Sequence, residues 1–548
     1  MRWPFRPSIL MAISVALALG AAAVVYFTGG EPRPEPRPVR EGDREVAFLY
    51  PATGASTWER FVTAAALSVR HLQPDWPDLE ADIGDAAFPR QTTAVPEFAI
   101  SPGPGRGRLV FRWYKLTGRQ KTADWVEALL RRRPPPLAVV GGNNSDAGRE
   151  LAFQLAAAAQ RLPEGERPLM LLTTATADQV KPLDEPPPGE PAAGAEQPGV
   201  PLADIYRGRT FRFCFSNRQM AEAVTQFLWA QDDLRPDADP VYSVSWEDDS
   251  YARDLWLGFA AALRQPAARA AARDWAWLAG VSATGAFPLS GEAFCASQFR
   301  LGDMTPHTVP WSAGSFDRPN PHENRVAGWL IEELRRRPNQ RRPLLVLAAQ
   351  SQPSRRFLRA LVSWDAQDAR RFVVATGDTL SFNTVYRDRN VAWPVQELPF
   401  NLLFFCHHNP IDAEAARQAG EGSGTEDLLL NRDIVEALLL GMRPGDPPAG
   451  AAELGRRLHE LRLKDDNLTF DPAGERLFDA DGNRRGGTGE HVVWLRPAFR
   501  GPEVLPEATL RVWCWRPAGG ARRWRSCGEI GVRYDEPPKG GNGPHGTD

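Results

Sequence analysis

The strongest constraint on the fold is a repeated alternation of short apolar runs with amphipathic stretches. EVAFLY (45–50) passes through the turn Pro51-Ala52-Thr53-Gly54 into a helix expected from about Trp58 to Leu72. RLVFRWYK (108–115) precedes the helical ADWVEALLRRR (123–133), and LAVVGG (137–142) precedes a helix rich in alanine and leucine. PLMLLTTATAD (168–178) is a further strand, ending in small hydroxyl residues. A second series of the same design follows. FRFCF (211–215) leads to a helix through about Trp229, and PVYSVSW (240–246) to a helix from Tyr251 to Leu263. PLLVLAA (343–349) precedes FLRALVSW, and RFVVATGD (371–378) precedes NLLFFC (401–406). Strands alternating with helices are the pattern of parallel α/β sheets. Two such series in 548 residues, more than one core accommodates, predict two lobes. From about Leu468 the chain changes to strands rich in tryptophan and glycine.

One corner within this pattern has the makings of a binding site. In VVGGNNSDAGRE (139–150) an apolar strand stops in two glycines and two asparagines and restarts as a helix, with Ser145 and Asp146 at its first turn. Amide groups at a helix start lack partners and point outward, so the corner suits an anionic group. Ser145 or Asp146 as a simple helix cap satisfies the same pattern.

The N-terminus bears on location. Behind Arg2 and Arg6, residues 9–27 (ILMAISVALALGAAAVVYF) carry no charge. As a helix they rise about 28 Å, close to the hydrocarbon thickness of a bilayer. Ala21-Ala22-Ala23 offers a small-residue cleavage site, but the apolar run continues through Val24, Val25, Tyr26 and Phe27. An uncleaved signal anchor is therefore expected, single-pass in the cell membrane, with the bulk of the chain extracytoplasmic (periplasmic). The following GEPRPEPRPVREGDR (30–44) is a stiff polyproline-type spacer. Residues 181–201 and 536–548 are polar or Pro/Gly-rich surface segments.

Composition excludes several classes. A net charge of −3, with both signs mixed along the chain, leaves no footprint for nucleic acid. The five cysteines form no CxxC and are too scattered for a zinc site or a disulfide-built scaffold. In an exported chain Cys514 and Cys527, on two strand-like runs joined through Pro517, Gly519 and Gly520, are the expected disulfide pair. His407 and His408 follow Cys406 but, as neighbours on a strand, point to opposite faces and do not share an ion. No Gly-x-Ser-x-Gly elbow, P-loop, dinucleotide fingerprint or His-x-x-x-His spacing is present. The chain is thus expected to be no enzyme and to use no cofactor or metal.

In open α/β sheets ligands sit beyond the carboxyl ends of the strands. The residues there form a set: Pro51 to Gly54, Gly141 to Ser145, Thr173 to Asp178, Glu247 to Tyr251, and Thr376-Gly377-Asp378. Their order, with the late FDADGNRRG (478–486), resembles the type I periplasmic binding proteins, particularly the branched-chain amino acid branch also seen in receptor ligand-binding regions. The likeness runs over most of residues 45–500.

The resemblance implies two doubly wound parallel-sheet lobes joined by a three-crossing hinge, closing on a small amino-acid-like solute. Residues 1–8 would be cytoplasmic, 9–27 the transmembrane anchor and 28–44 the linker. Residues 45–208 plus 372–455 would form lobe one, and 209–371 plus 456–535 lobe two. Ser145 matches the serine that grips the ligand carboxylate, and Ala175-Thr176 match the following strand end. Tyr251, in EDDSYARD, matches a tyrosine opening a lobe-two helix, and Asp378 stands where an acid meets the ligand ammonium. Transport would add membrane transporter subunits as partners. Gln350-Ser351-Gln352 replaces a second tyrosine, and 181–201 and 281–323 are extra segments. Those departures leave a second reading: an interaction or cell-envelope regulatory module on the same fold, with a degenerate cleft.

Overall fold

The computed structural model describes residues 34–532 apart from 104–106, 183–198, 236–240, 246–248, 265–297, 301–320, 381–397, 413–425, 443–449, 464–473 and shorter breaks. Residues 9–27 lie outside them. Among the described residues no helix is long and apolar enough to cross a membrane.

Two sheets carry the molecule. The first contains β1 (Arg44–Pro51), β2 (Glu80–Asp82), β3 (Glu97–Ser101), β4 (Leu109–Leu116), β5 (Ala138–Gly141), β6 (Leu169–Leu172) and β7 (Thr210–Arg212), in the order β2-β3-β4-β1-β5-β6-β7. From β4 to β7 all pairings are parallel, and β2 and β3 add an antiparallel edge. The second contains β8 (Tyr242–Ser245), β9 (Gln298–Arg300), β10 (Leu344–Ala348), β11 (Val373–Thr376), β12 (Asn401–Cys406), β13 (His491–Arg496), β14 (Ala508–Ala518) and β15 (Ala521–Val532), in the order β9-β8-β10-β11-β12-β13-β14-β15. Its first five strands are parallel and the last three antiparallel. Counted within each lobe, both parallel blocks run second-first-third-fourth-fifth. The strand order therefore reverses between β1 and β5 and between β8 and β10, the points where such sheets bind ligands.

Helices cover both faces of each sheet, as the apolar runs buried on two sides require. On the first sheet α1 (Ala55–Leu72) packs one face through Trp58, Phe61 and Val62, while α2 (Thr122–Arg131) and α3 (Ser145–Ala159) pack the other through Trp125, Leu129, Leu151 and Leu155. On the second, α4 (Asn217–Ala230) and α5 (Ser250–Arg264) cover one face. The other is covered by α6 (Pro321–Arg336) and α7 (Ser351–Trp364). Two late helices, α8 (Glu426–Gly441) and α9 (Ala451–Glu460), return to the first sheet, where Ile434, Val435, Leu454 and Leu458 join its core.

Three crossings therefore link the lobes: after Phe213, after Cys406, and between Phe478 and β13. These differ from the boundaries expected from sequence. Residues 210–212, placed in lobe two, close the first sheet, because β7 pairs with β6. Val373–Thr376 and Asn401–Cys406, placed in lobe one, are the fourth and fifth parallel strands of the second sheet. The helix Ala451–Glu460, split between the lobes by the expected boundary at 455/456, lies wholly on the first core. Apolar strands of equal length look alike in sequence, and only register decides their sheet.

FDADGNRRG forms the third crossing. The Asp479 carboxylate accepts the amides of Asp481 and Asn483, and the Gly482 carbonyl accepts the Arg212 amide. Gly482 has a φ of 82°, and a Cβ there would collide with the Thr210 carbonyl, so this position requires glycine. At the second crossing the His408 Nε2 lies 2.6 Å from the Asp433 carboxylate of α8, both side chains buried, without hydrogen-bond alignment. Burial holds the His408 ring well below its ordinary pKa and pushes Asp433 up to about 7, disfavouring the charged form of both. The proline spacer is not free along its whole length. Carbonyls of Arg37 and Pro38 accept from Arg112, whose guanidinium also meets the buried Glu45 at 2.7 Å.

Candidate functional site

The strand ends of the two lobes face each other. In lobe one the chain leaves β5 through Gly142, at a φ of 73°, where a Cβ would stand 2.7 Å from Leu172. Asn144, rather than Ser145 or Asp146, caps α3: its side-chain oxygen accepts the Ala147 amide at 2.8 Å. Ser145 is buried, and its hydroxyl accepts the Ala177 amide at 3.1 Å, pinning the loop after β6 to the corner. Ala175 is a packing residue. Its methyl fills the space beside Gly148, where a Cβ would come within 2.8 Å of it. Thr176 is fully buried, and its hydroxyl has no hydrogen-bond partner among the described residues. Its carbonyl accepts the Asn217 amide of α4 in lobe two.

In lobe two α5 starts at Ser250 because Asp249 accepts the Tyr251 amide at 3.2 Å. Tyr251 is buried and its hydroxyl donates to Asp378 Oδ1 at 2.9 Å. Burial and the neighbouring Asp378 charge hold the phenol protonated, raising its pKa well above the ordinary value. The phenol lies on the backbone of Gly377, where a Cβ would stand 2.5 Å from the oxygen, so that glycine is what admits the tyrosine. The other Asp378 oxygen meets His407 Nε2 at 3.0 Å, and His407 Nδ1 accepts the Phe215 amide at 3.1 Å. That second bond places the His407 proton on Nε2, directed at the carboxylate.

Three of the expected residues, Thr176, Tyr251 and Asp378, thus belong to one network, and Ser145 and Ala175 stand outside it. It runs from Thr176 through Asn217, whose side-chain amide donates to the Tyr251 carbonyl at 3.1 Å, to Tyr251, Asp378 and His407. Asp378 sits in lobe two beside Tyr251, not across the cleft from it, because β11 belongs to the second sheet. Sequence reasoning weighed His407 only as a metal ligand beside His408 and left it a structural role; a histidine at the end of a central parallel strand was the available signal.

Two further carboxylates join the lobes directly. Asp254 of α5 accepts the amides of Asp178 and Gln179 from lobe one, at 2.8 and 3.0 Å. Burial, then the Asp178 charge, push its pKa up to about 7. Asp146, in the first turn of α3, accepts the Ser250 hydroxyl at 2.7 Å. A carboxylate in that turn already occupies the positive end of the helix. Beside this latch lies a pocket of about 90 Å³ between Gln179–Lys181 and Ser250–Leu257, separate from the Ser145–Asp378 set.

No protein-family model matches the chain, and no curated protein does. Solved structures do. An ABC transporter substrate-binding protein from Desulfitobacterium hafniense in complex with Leu is 13% identical, covering 88% of this chain and 100% of its own, with a TM-score of 0.47. A leucine-, isoleucine-, valine-, threonine- and alanine-binding protein from Brucella ovis, in a closed conformation, is 11% identical, covering 89% and 95%, also at 0.47. A leucine-binding protein from Thermotoga maritima is 12% identical, covering 84% and 97%, at 0.43. The architecture is of the type I periplasmic binding kind. Strand order and the three crossings carry that statement; matches this distant say nothing about the ligand.

Proposed function

We propose that the chain is an extracytoplasmic solute-binding protein, held at the membrane by residues 9–27, which closes around a small amino-acid-like ligand for transport or sensing. The observation that carries this reading is Asp378. It is a carboxylate at a lobe-two strand end, oriented on both oxygens by Tyr251 and His407. Lobe one presents the start of α3 and the buried Thr176 hydroxyl, without an acid of its own at 173–176. A zwitterion would place its ammonium against Asp378 and its carboxylate against lobe one.

A second reading is favoured by the latch. Asp254 and Asp146 bind the lobes together with protein groups alone, and Ser145 and Tyr251 are buried with protein partners. A fold that closes on itself suits an interaction module with a degenerate cleft. In a ligand-gated protein the ligand's preference for the closed form shifts the populations. A thermal-shift screen of amino acids and small carboxylates on the full chain in detergent separates the two. Saturable stabilisation by an amino acid supports the first reading; no response to any solute supports the second. Extraction of membranes with carbonate tests the anchor, and release of the chain would exclude it.

A further inference from the structure

The outer strands of lobe two bring three soft donors together that lie far apart in sequence. Cys406, His491 and Cys514 stand directly opposite one another on β12, β13 and β14, so their side chains share one face of the sheet. Cys527 reaches the same face by an irregularity. Val512 pairs with Gly528 and Trp513 with Ser526, so Cys527 is an extra residue in β15. Such bulges re-aim a side chain. Without this one, Cys527 would pair with Trp513 and point to the opposite face, where Trp513 and Trp524 pack on Phe227. Instead it packs against the core cluster to which Val512 and Cys406 belong. Gly528 has a φ of 139°, and a Cβ there would come within 2.8 Å of Ile411. The expected disulfide is not formed: Cys514 and Cys527 are separate thiols. Their sulfurs and a ring nitrogen of His491 all lie within 4.8 Å of one another.

We propose that His491, Cys514 and Cys527 form a binding site for a thiophilic d10 cation, Zn²⁺ or Cu⁺. Two thiolates and an imidazole are the donor set such ions select. With metal–sulfur bonds of about 2.3 Å and a metal–nitrogen bond of about 2.0 Å, donors around one ion stand roughly 3.6–3.8 Å apart. From the 4.8 Å limit, closing the cluster to that size would shorten its widest donor separation by about 1 Å. His491 and Cys514 are buried and Cys527 is half-buried, which gives the ion one route of entry. Zn²⁺ would complete four-coordination with a water on that side, whereas Cu⁺ is satisfied by three ligands. The bound ion would tie β14 and β15 to β13, beside the second hinge crossing, whereas the expected disulfide would join β14 to β15 alone.

The test uses the full chain in detergent, reduced and stripped of metal, titrated separately with Zn²⁺ and Cu⁺ against a chromophoric chelator. The site predicts a single equivalent of one of them, released when the thiols are alkylated. Co²⁺ in its place should give the visible bands of a tetrahedral thiolate complex if Zn²⁺ is the ion. Cys527→Ser and His491→Gln should each weaken binding at least about tenfold, the cost of losing even an outer-shell partner. Cys214→Ala, a buried cysteine at the first crossing and outside this cluster, should leave affinity unchanged, and far-ultraviolet circular dichroism of each variant checks that it folds. Cys527 is half-buried, so its serine variant is the decisive one if His491→Gln fails to fold. Failure of the reduced chain to bind either ion would overturn the proposal. So would binding indifferent to Cys527→Ser, or isolation of the protein with Cys514 and Cys527 oxidised to a disulfide that reduction does not convert to a metal-binding form.

Discussion

The two lobes share a strand order but differ in the chemistry at their strand ends. Lobe one offers backbone amides, the Ser145 and Thr176 hydroxyls and the start of α3. Lobe two offers a carboxylate, Asp378, flanked by a phenol and an imidazole. Under the solute-binding proposal, this opposite polarity would let the cleft select a zwitterion only on closure, with the acid on one lobe and the amide and hydroxyl donors on the other. On the same proposal Asp146 works against the site, since it puts a negative charge at the corner where the solute's carboxylate would bind.

The largest effect should come from the lobe-two acid. Asp378→Asn removes a charge-assisted bond to the ammonium, typically worth about 1.5–3 kcal/mol, so affinity for an amino acid should fall roughly 10–150-fold. Calorimetric titration measures this, and an unchanged affinity breaks the comparison. In lobe one, Ser145→Ala acts mainly on stability. It leaves the Ala177 amide buried without its acceptor, which should cost about 1–3 kcal/mol in urea unfolding. A loss below about 0.5 kcal/mol would mean that the corner is not pinned by this bond.

The latch adds a pH dependence. Asp254 has its pKa raised to about 7 in the joined lobes, against an ordinary value of about 4. An acid that holds its proton more tightly in the closed form favours that form as pH falls. Its contribution is absent above about pH 7 and complete below about pH 4. From this group the protein should gain about 1 kcal/mol between pH 8 and pH 6. Asp254→Asn should flatten that part of the stability profile; an identical profile in the variant would remove Asp254 from the latch. The smallest effect is at the corner itself. Asp146→Asn frees the helix start for an anion and should tighten amino-acid binding by about 0.3–1 kcal/mol. Weaker binding in the variant would show that Asp146 serves the ligand rather than opposing it.

Much of the fold was legible because apolar runs and helical stretches alternate, and periodicity survives without tertiary information. Which sheet a strand joins was not: β11 and β12 are apolar runs like those of lobe one, and pairing with β10 and β13 decides their place. Of the site, Ser145, Thr176, Tyr251 and Asp378 stood out as polar residues at strand ends. Their partners did not. His407, Asn217 and Asp254 act through hydrogen bonds across long sequence separations, and Ala175 resembled a site residue while serving as packing against Gly148. The expected closeness of Cys514 and Cys527 is present, through a bulge in β15 that sequence does not show, but their disulfide is not formed.

The most direct test of the divided-charge cleft is titration calorimetry of the full chain with matched probes: an amino acid that stabilises it, the amine lacking the carboxylate, and the acid lacking the ammonium. The account predicts one site for the amino acid and a loss of at least about tenfold, or 1.4 kcal/mol, for each truncated probe. Equal affinity for the acid alone, or no heat with any amino acid, would contradict it.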